Sequence, residues 1–461
     1  MMARKHAIRI RYILSFWLFV ISGIAFLDRT NISIAGLAII KEFGLNNQRL
    51  GWLSSAFLIG YAVCQVPAGW LAAQFGPRRV LSLSVLWWGI ATAFTALVPS
   101  TIPHAIAILF LVRFALGAGE SIVYPAASQF VARWIPLQER GIINGLIFAG
   151  VGAGSGLTPP LLNWLITHHG WRSAFWVSAM VGFAAAAVLW SISSDRPEDH
   201  SMISAEELRE IHRDIPGVAL DEEQVIPPAS TSKVQISWKA IFCRRDLPAL
   251  MVAYFGFVYI AWIYFSWFFI YMAQVRGFDL KSSALYTMLP FLSMTLCCLT
   301  GGAASDWLTK RYGVRVGRCT LAVGASLLTA LFLIVGSQTH SPQWAGIILS
   351  AGAGALYISQ SSYWSASIDI AGVNSGVFSS LINMAGQIGG AVTASLTPVI
   401  AQRFGWTMSF AAAAALAIIT AACWMTVRPE IPMTAEKSTP TKHQFNSGGL
   451  MKNHARLDEI G

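Results

Sequence analysis

Long apolar runs alternate with short polar connections along almost the whole of this 461-residue chain. No Asp, Glu, Lys or Arg occurs from Leu50 to Pro77, from Val80 to Val112, or from Gly141 to Trp171. A helix needs about 20 mainly apolar residues to cross the hydrocarbon core of a bilayer, and these runs supply that length again and again. The pattern predicts twelve spans, over 12–35, 48–73, 79–99, 103–130, 139–167, 171–192, 248–274, 284–307, 316–337, 342–367, 372–401 and 405–427. The expected fold class is therefore an all-α membrane protein. The first run continues from Tyr12 into Asp28-Arg29 with no small-residue cleavage pattern, so it reads as a retained span and not as a signal peptide.

One long polar stretch, 193–247, interrupts the pattern and is rich in acidic residues. Ser204 followed three residues later by Glu207 is the signature of a capping box, which predicts a short helix inside this linker. The domain reading that follows is a six-helix bundle over 1–192, the linker over 193–247, a second six-helix bundle over 248–427, and a polar tail, 428–461, expected to be disordered.

Composition sharpens this picture. Only 12% of residues are charged and 55% are hydrophobic, a mixture that cannot clothe a water-facing surface. The net charge of +10 would suit nucleic acid, but the basic residues lie mostly in the short connections, so they speak of membrane orientation. With the amino terminus in the cytoplasm, twelve Lys and Arg fall inside, among them Arg78, Arg79, Arg140 and Arg318, against six outside. Both termini are expected to be cytoplasmic. The six cysteines show no metal-ligand spacing, and all nine histidines lie in connections or the tail. The expectation is no metal site, no cofactor, no catalytic residue and no nucleic-acid partner.

The two halves repeat each other. Gly69-Trp-Leu-Ala-Ala-Gln-Phe-Gly76-Pro-Arg78-Arg79 follows the second span, and Gly302-Ala-Ala-Ser-Asp306 with Lys310-Arg-Tyr-Gly313 follows the eighth. Leu157-Thr-Pro159 leads to Gly170-Trp171, as Leu396-Thr-Pro398 leads to Gly405-Trp406. Gly69 and Gly302 are 233 residues apart, Trp171 and Trp406 are 235 apart. Two similar halves related by a pseudo-two-fold axis can rock about a central site, which predicts alternating-access transport by a single chain.

Four ionisable residues fall within predicted spans: Asp28, Arg29, Arg113 and Glu120. Facing lipid, each would cost about 2.5–3.5 kcal/mol, so they should turn toward a bundle interior or wet cavity. Arg113 and Glu120 are seven apart, about two turns or roughly 10 Å along one helix face. Two guanidiniums can hold a carboxylate through paired hydrogen bonds, while two carboxyls can carry a proton. The bland alternative is a structural ion-pair network between helices. Tyr61, Gln65, Tyr124, Tyr264, Ser361, Trp364 and Asn383 are the polar or amphipathic residues expected nearest the centre, each of which could equally be a packing residue. A hydrophobic-compound exporter or antiporter is a competing reading, though a cationic cargo would meet two arginines. A transporter-like nutrient sensor is another, with the linker as its only candidate output.

Phe26-Leu-Asp-Arg-Thr-Asn31, Tyr61-Ala-Val-Cys-Gln-Val-Pro67, Arg113-Phe-Ala-Leu-Gly-Ala-Gly-Glu120 and the Gly69–Arg79 loop together resemble the major facilitator superfamily. Within it the chain resembles the anion:cation symporters, which include bacterial carriers of hexuronates, aldonates, glucarate, tartrate and phthalate and animal carriers of sialic acid and vesicular glutamate. The resemblance implies proton-coupled symport of a small organic anion, a carboxylate such as a sugar acid, dicarboxylate or aromatic acid, across a bacterial inner membrane. It implies Asp28 and Glu120 as proton-coupling carboxyls, with Arg29 and Arg113 as carboxylate binders. Tyr61, Gln65, Ser361, Trp364 and Asn383 match site-lining positions in carriers of sugar acids. It also implies a gating role for Gly69, Gly76, Arg78, Arg79, Gly302 and Asp306. Two positions depart from the pattern. Ala73 stands where the first gating motif has an acid, and Gly150 replaces a glutamine that contacts sugar hydroxyls.

Overall fold

In the computed structural model of the chain, residues 9–45, 47–212, 238–268, 271–278 and 280–433 are described. Every regular element is helical. The first group comprises α1 (Ile10–Ile34), α2 (Gly36–Phe43), α3 (Asn47–Phe75), α4 (Pro77–Leu97), α5 (Ala105–Glu120), α6 (Val123–Trp134), α7 (Arg140–His169) and α8 (Trp171–Ile192). Two short helices follow in the linker, α9 (Ala205–His212) and α10 (Trp238–Phe242). The second group is α11 (Asp246–Ser266), α12 (Leu280–Tyr312), α13 (Leu321–Gln338), α14 (Pro342–Ile358), α15 (Gln360–Ala371), α16 (Ser375–Phe404) and α17 (Trp406–Thr426).

Ten segments among the described residues are long and apolar enough to cross a membrane. The expected tenth and eleventh spans are helical but do not reach that standard. The tenth is broken at Ser359 into α14 and α15, and α16 is diluted by Ser, Asn, Gln and Thr. The expected fourth span is broken too, with α5 ending at Glu120 and α6 starting at Val123. Helix breaks at membrane depth are tolerated where the freed backbone groups find protein partners. At the first break Gln65 supplies one, donating from Nε2 to the Ser121 carbonyl at 3.2 Å.

Small residues set how closely the spans approach. A Cβ added at Gly60 would run into the carbonyl oxygen of Phe114, and one added at Gly117 into that of Phe57. These two glycines let α3 and α5 lie backbone to backbone in the turn that follows Arg113.

At one end of the bundle the helices before residue 193 are tied to those after residue 246. Asp306 accepts from the Gly141 and Ile142 amides at 2.8 and 2.7 Å, capping the start of α7 where unpaired N–H groups gather. The same carboxylate accepts from Arg318 Nη1 at 2.8 Å, and Arg318 Nε reaches Asp369 at 3.3 Å. Arg140 Nη1 donates to Asp369 at 2.8 Å and completes the crossing. The first gating copy is built differently. Its Arg78 amide and Arg79 guanidinium engage Asp195 at 2.9 and 3.5 Å, within the same group of helices. Ala73 offers no carboxylate, and Gly69 instead abuts Gly376 and Ser380 of α16.

The start of α1 and the linker meet at this same end. Ser204 Oγ accepts from the Glu207 amide at 3.1 Å, which is half of the predicted capping box. The other half is replaced: the Glu207 carboxylate caps α1, accepting from the Ile10 and Arg11 amides at 3.2 and 3.0 Å. The buried Arg11 pairs with Glu139 at 3.1 Å and Glu210 at 3.2 Å. Burial alone would raise the Glu210 carboxyl, but hydrogen bonds from Arg11 and Arg9 hold it below the ordinary glutamate range. Residues 428–433 of the expected disordered tail are docked: the Arg428 amide meets Asp246 at 2.8 Å and the Met433 amide meets the Ile370 carbonyl at 2.7 Å. The rest of that tail, and 213–237 of the linker, lie outside the described residues.

Two outcomes follow from this packing. Gly117→Val forces α3 from α5 and should destabilise the protein by about 1–3 kcal/mol, read as a lowered thermal midpoint in detergent. Glu210→Gln should speed proteolysis of the linker at neutral pH. A carboxyl with a lowered folded pKa stabilises above its unfolded pKa and loses that contribution as pH falls. The difference between variant and parent should therefore vanish on acidification through the carboxylate range.

Candidate functional site

Adjacent residues on a helix diverge by about 100°, so Asp28 and Arg29 leave α1 in different directions. Asp28 turns toward α4, where Thr92 Oγ1 donates to its Oδ1 at 3.4 Å, and its Oδ2 is buried without a protein hydrogen-bond partner. Arg29 turns inward and donates from Nε to Glu120 Oε2 at 2.8 Å. Glu120 occupies the last position of α5, at the helix break, and is fully buried. Arg113, two turns earlier on α5, is 1% exposed, and its Nε and Nη1 have no protein partner. The same is true of Nη2 of Arg29.

Aromatic rings stand in for hydration at these cations. The Arg29 guanidinium lies over Phe26 at 4.6 Å and Tyr61 at 4.7 Å. Phe57 is shared by both, 5.6 Å from Arg29 and 5.2 Å from Arg113. Desolvated cation–π contacts are worth up to about 2 kcal/mol each, which offsets part of the burial cost.

Between the two groups of helices lies a cavity of about 220 Å³. Arg29, Arg113, Tyr124 and Asn383 reach its wall, four of the residues expected near the centre. Tyr61 and Gln65 stand behind that wall and bond to Asn383 Nδ2, through the Tyr61 hydroxyl at 3.4 Å and Gln65 Oε1 at 3.3 Å. Trp364 packs one layer back, 4.9 Å from Phe148 and 5.7 Å from Tyr124. Ser361 is buried one position beyond the lining residue Gln360 and is not on the wall. Tyr264 is not there either. Its hydroxyl donates to the Leu349 carbonyl at 2.8 Å, between α11 and α14. The gating residues lie at the tied end of the bundle, outside the cavity lining.

Several lining residues were not foreseen. Tyr254, Gln360 and Gln387 are the polar ones of note. Gln360 had a signal: it belongs to a run of polar residues, Ser359–Ser362, that interrupts an apolar stretch much as Glu120-Ser121 does. Gln387 lies one helical turn after Asn383 and donates to its Oδ1 at 3.3 Å. Tyr254 had none, being one of 11 tyrosines in the chain. At Gly150, a Cβ would run into the Phe19 carbonyl oxygen and Ser22. The missing glutamine thus has no room here, because α7 presses directly on α1.

A fold of this kind, with charges paired around a central cavity in an all-helical, multi-pass membrane protein, defines a carrier. The chain belongs to the Major Facilitator Superfamily, whose family pattern matches residues 18–393. Its work is accordingly transport and not enzymatic catalysis. It is 31% identical over 447 residues to "Probable sulfoacetate transporter SauU" of Cupriavidus necator, covering 95% of this chain and 99% of that one. It is also 31% identical over 310 residues to "Probable galactarate/D-glucarate transporter GarP" of Escherichia coli, covering 67% and 69%. Among solved structures, the proton:xylose symporter XylE superposes with a TM-score of 0.70 at 16% identity, covering 90% of this chain and 96% of that one.

Phe57→Leu keeps an apolar side chain but removes the ring face shared by the two arginines. It should cost about 0.5–2 kcal/mol of stability, and Phe57→Tyr should cost less, both read by thermal unfolding in detergent.

Proposed function

We propose that this protein is a proton-coupled symporter that takes up a small organic anion by alternating access, with Arg29 and Arg113 binding the carboxylate and Glu120 and Asp28 carrying the proton. The observation that carries this reading is the pair of buried guanidiniums at the cavity wall with hydrogen-bond donors that no protein group takes up. Arginine stays charged in any such pocket, and its paired donors match a carboxylate. Arriving anion competes with Glu120 for Arg29, and a carboxyl deprived of its cation takes up a proton more readily. Proton and anion then each ease loading of the other, which is symport in thermodynamic terms. The names of the relatives, sulfoacetate and galactarate/D-glucarate transporters, agree with an organic-anion cargo.

The rest of the architecture is part of the same reading. Twelve spans in two six-helix bundles, 1–192 and 248–427, are related by a pseudo-two-fold axis. The ends of both bundles that carry the gating loops face the cytoplasm of a bacterial cell, with both termini, and one chain suffices for function. The Asp306–Arg318–Asp369–Arg140 ties would then hold the cytoplasmic side shut while the cavity faces outward.

Arg29→Ala and Arg113→Ala should each reduce anion uptake into proteoliposomes to background while the purified variants keep their fold. Uptake retained by both variants would sink the carboxylate-clamp assignment. Glu120→Gln should leave substrate exchange running while accumulation driven by a pH gradient fails. Undiminished accumulation would remove Glu120 from the proton path.

A further inference from the structure

The cavity is divided by chemistry as well as by helix. The cations enter it from α1 and α5. The wall contributed by α11 is Tyr254, Phe257, Val258, Ala261, Trp262 and Phe265, a spacing of three and four residues that marks a single helix face. Beyond the Tyr254 hydroxyl and the Trp262 ring nitrogen, that face offers hydrocarbon. The Tyr254 hydroxyl already accepts from Gln360 Nε2 at 3.3 Å. The Asn383 amide is likewise engaged with Tyr61, Gln65 and Gln387. The apolar wall and the cations are close neighbours: the Phe265 ring is 5.9 Å from Phe26, and the Arg29 guanidinium lies over that same Phe26 ring at 4.6 Å.

A polyhydroxylated acid bound by its carboxylate would press hydroxyls on a wall that offers only the Tyr254 hydroxyl and the Trp262 ring nitrogen, since the unpaired acceptor Gln360 Oε1 lies on α15 and not on α11. Each buried hydroxyl left unmet costs about 1–3 kcal/mol, or roughly 5- to 150-fold in affinity. A flat apolar body gains there instead. Size agrees, since an apolar cavity of about 150 Å³ holds one benzene ring. The 220 Å³ present here leaves room for a ring and its carboxylate.

Building on the anion-symport reading above, we propose that the cavity selects a small amphipathic carboxylate with one flat apolar body, such as an arene carboxylate, and that Val258, Ala261, Trp262 and Phe265 of α11 set this specificity.

The test compares benzoate with gluconate, which carry the same single charge and differ in their bodies. Binding to the purified full chain in detergent is measured by titration calorimetry at one pH, which avoids passive leakage of benzoate through a bilayer. Benzoate should bind at least about fivefold more tightly than gluconate, the least factor set by one unmet hydroxyl. Ala261→Ser and Val258→Asn place a hydrogen-bonding group on the wall and should narrow that ratio. The milder serine variant keeps the test open if the asparagine variant fails to fold. Equal or tighter binding of gluconate, abolished by Arg113→Ala, would overturn the wall as the selector and leave the anion reading standing. Binding of neither acid, or binding indifferent to Arg29→Ala and Arg113→Ala, would overturn both.

Discussion

Four ionisable side chains within the membrane-spanning part of one chain form a severe constraint, because each costs several kcal/mol against lipid. The fold meets it by drawing α1, α3 and α5 together, so that Arg29 reaches Glu120 at 2.8 Å and both arginines lie against Phe57. Gly60 and Gly117 make the approach of α3 and α5 possible. Compensation is incomplete by design: donor atoms on both arginines, Glu120 Oε1 and Asp28 Oδ2 have no protein partner. A purely structural network would be expected to consume its own hydrogen-bonding capacity, since an unmet buried polar group is costly. What is left over is the capacity that the proposed anion and proton would use.

The helix breaks belong to the same economy. Stopping α5 at Glu120 and α14 at Ile358 frees backbone groups beside Glu120, which pairs with Arg29, and beside Gln360, which lines the cavity. Gln65 repairs part of the first break through the Ser121 carbonyl. A residue expected to touch substrate thus has a backbone to support as well as an Asn383 amide to hold.

The repeat is not carried through at the tied end. Asp306 ties α12 to the start of α7 and recruits Arg318, which in turn shares Asp369 with Arg140. The corresponding place in the first half has Ala73, and contact there is by the close approach of Gly69 to α16. One seam carries ion pairs, whereas the other combines close glycine packing with the neutral Asn383 hydrogen bonds to Tyr61 and Gln65. Salt and pH act on the first far more than on the second, because only the first depends on ionised groups.

Much of this was legible in the residue order. Apolar runs of membrane-spanning length define an all-helical multi-pass protein, because lipid leaves the chain no other way to satisfy its backbone, and the Gly69/Gly302 and Trp171/Trp406 repeats pointed to a carrier. The four charges within the spans were expected to face inward, and of them Arg29 and Arg113 reach the cavity wall. Tertiary structure decided the rest. Helical periodicity says which residues share a face but not which neighbour that face meets, so it could not send Tyr264 to the Leu349 carbonyl or bring Tyr254 to the cavity wall. Nor could it show that α7 leaves no room for a side chain at Gly150, or that the apolar stripe of α11 confronts two arginines. Those facts depend on how separate helices pack across separations of 85 residues and more, which no local pattern encodes.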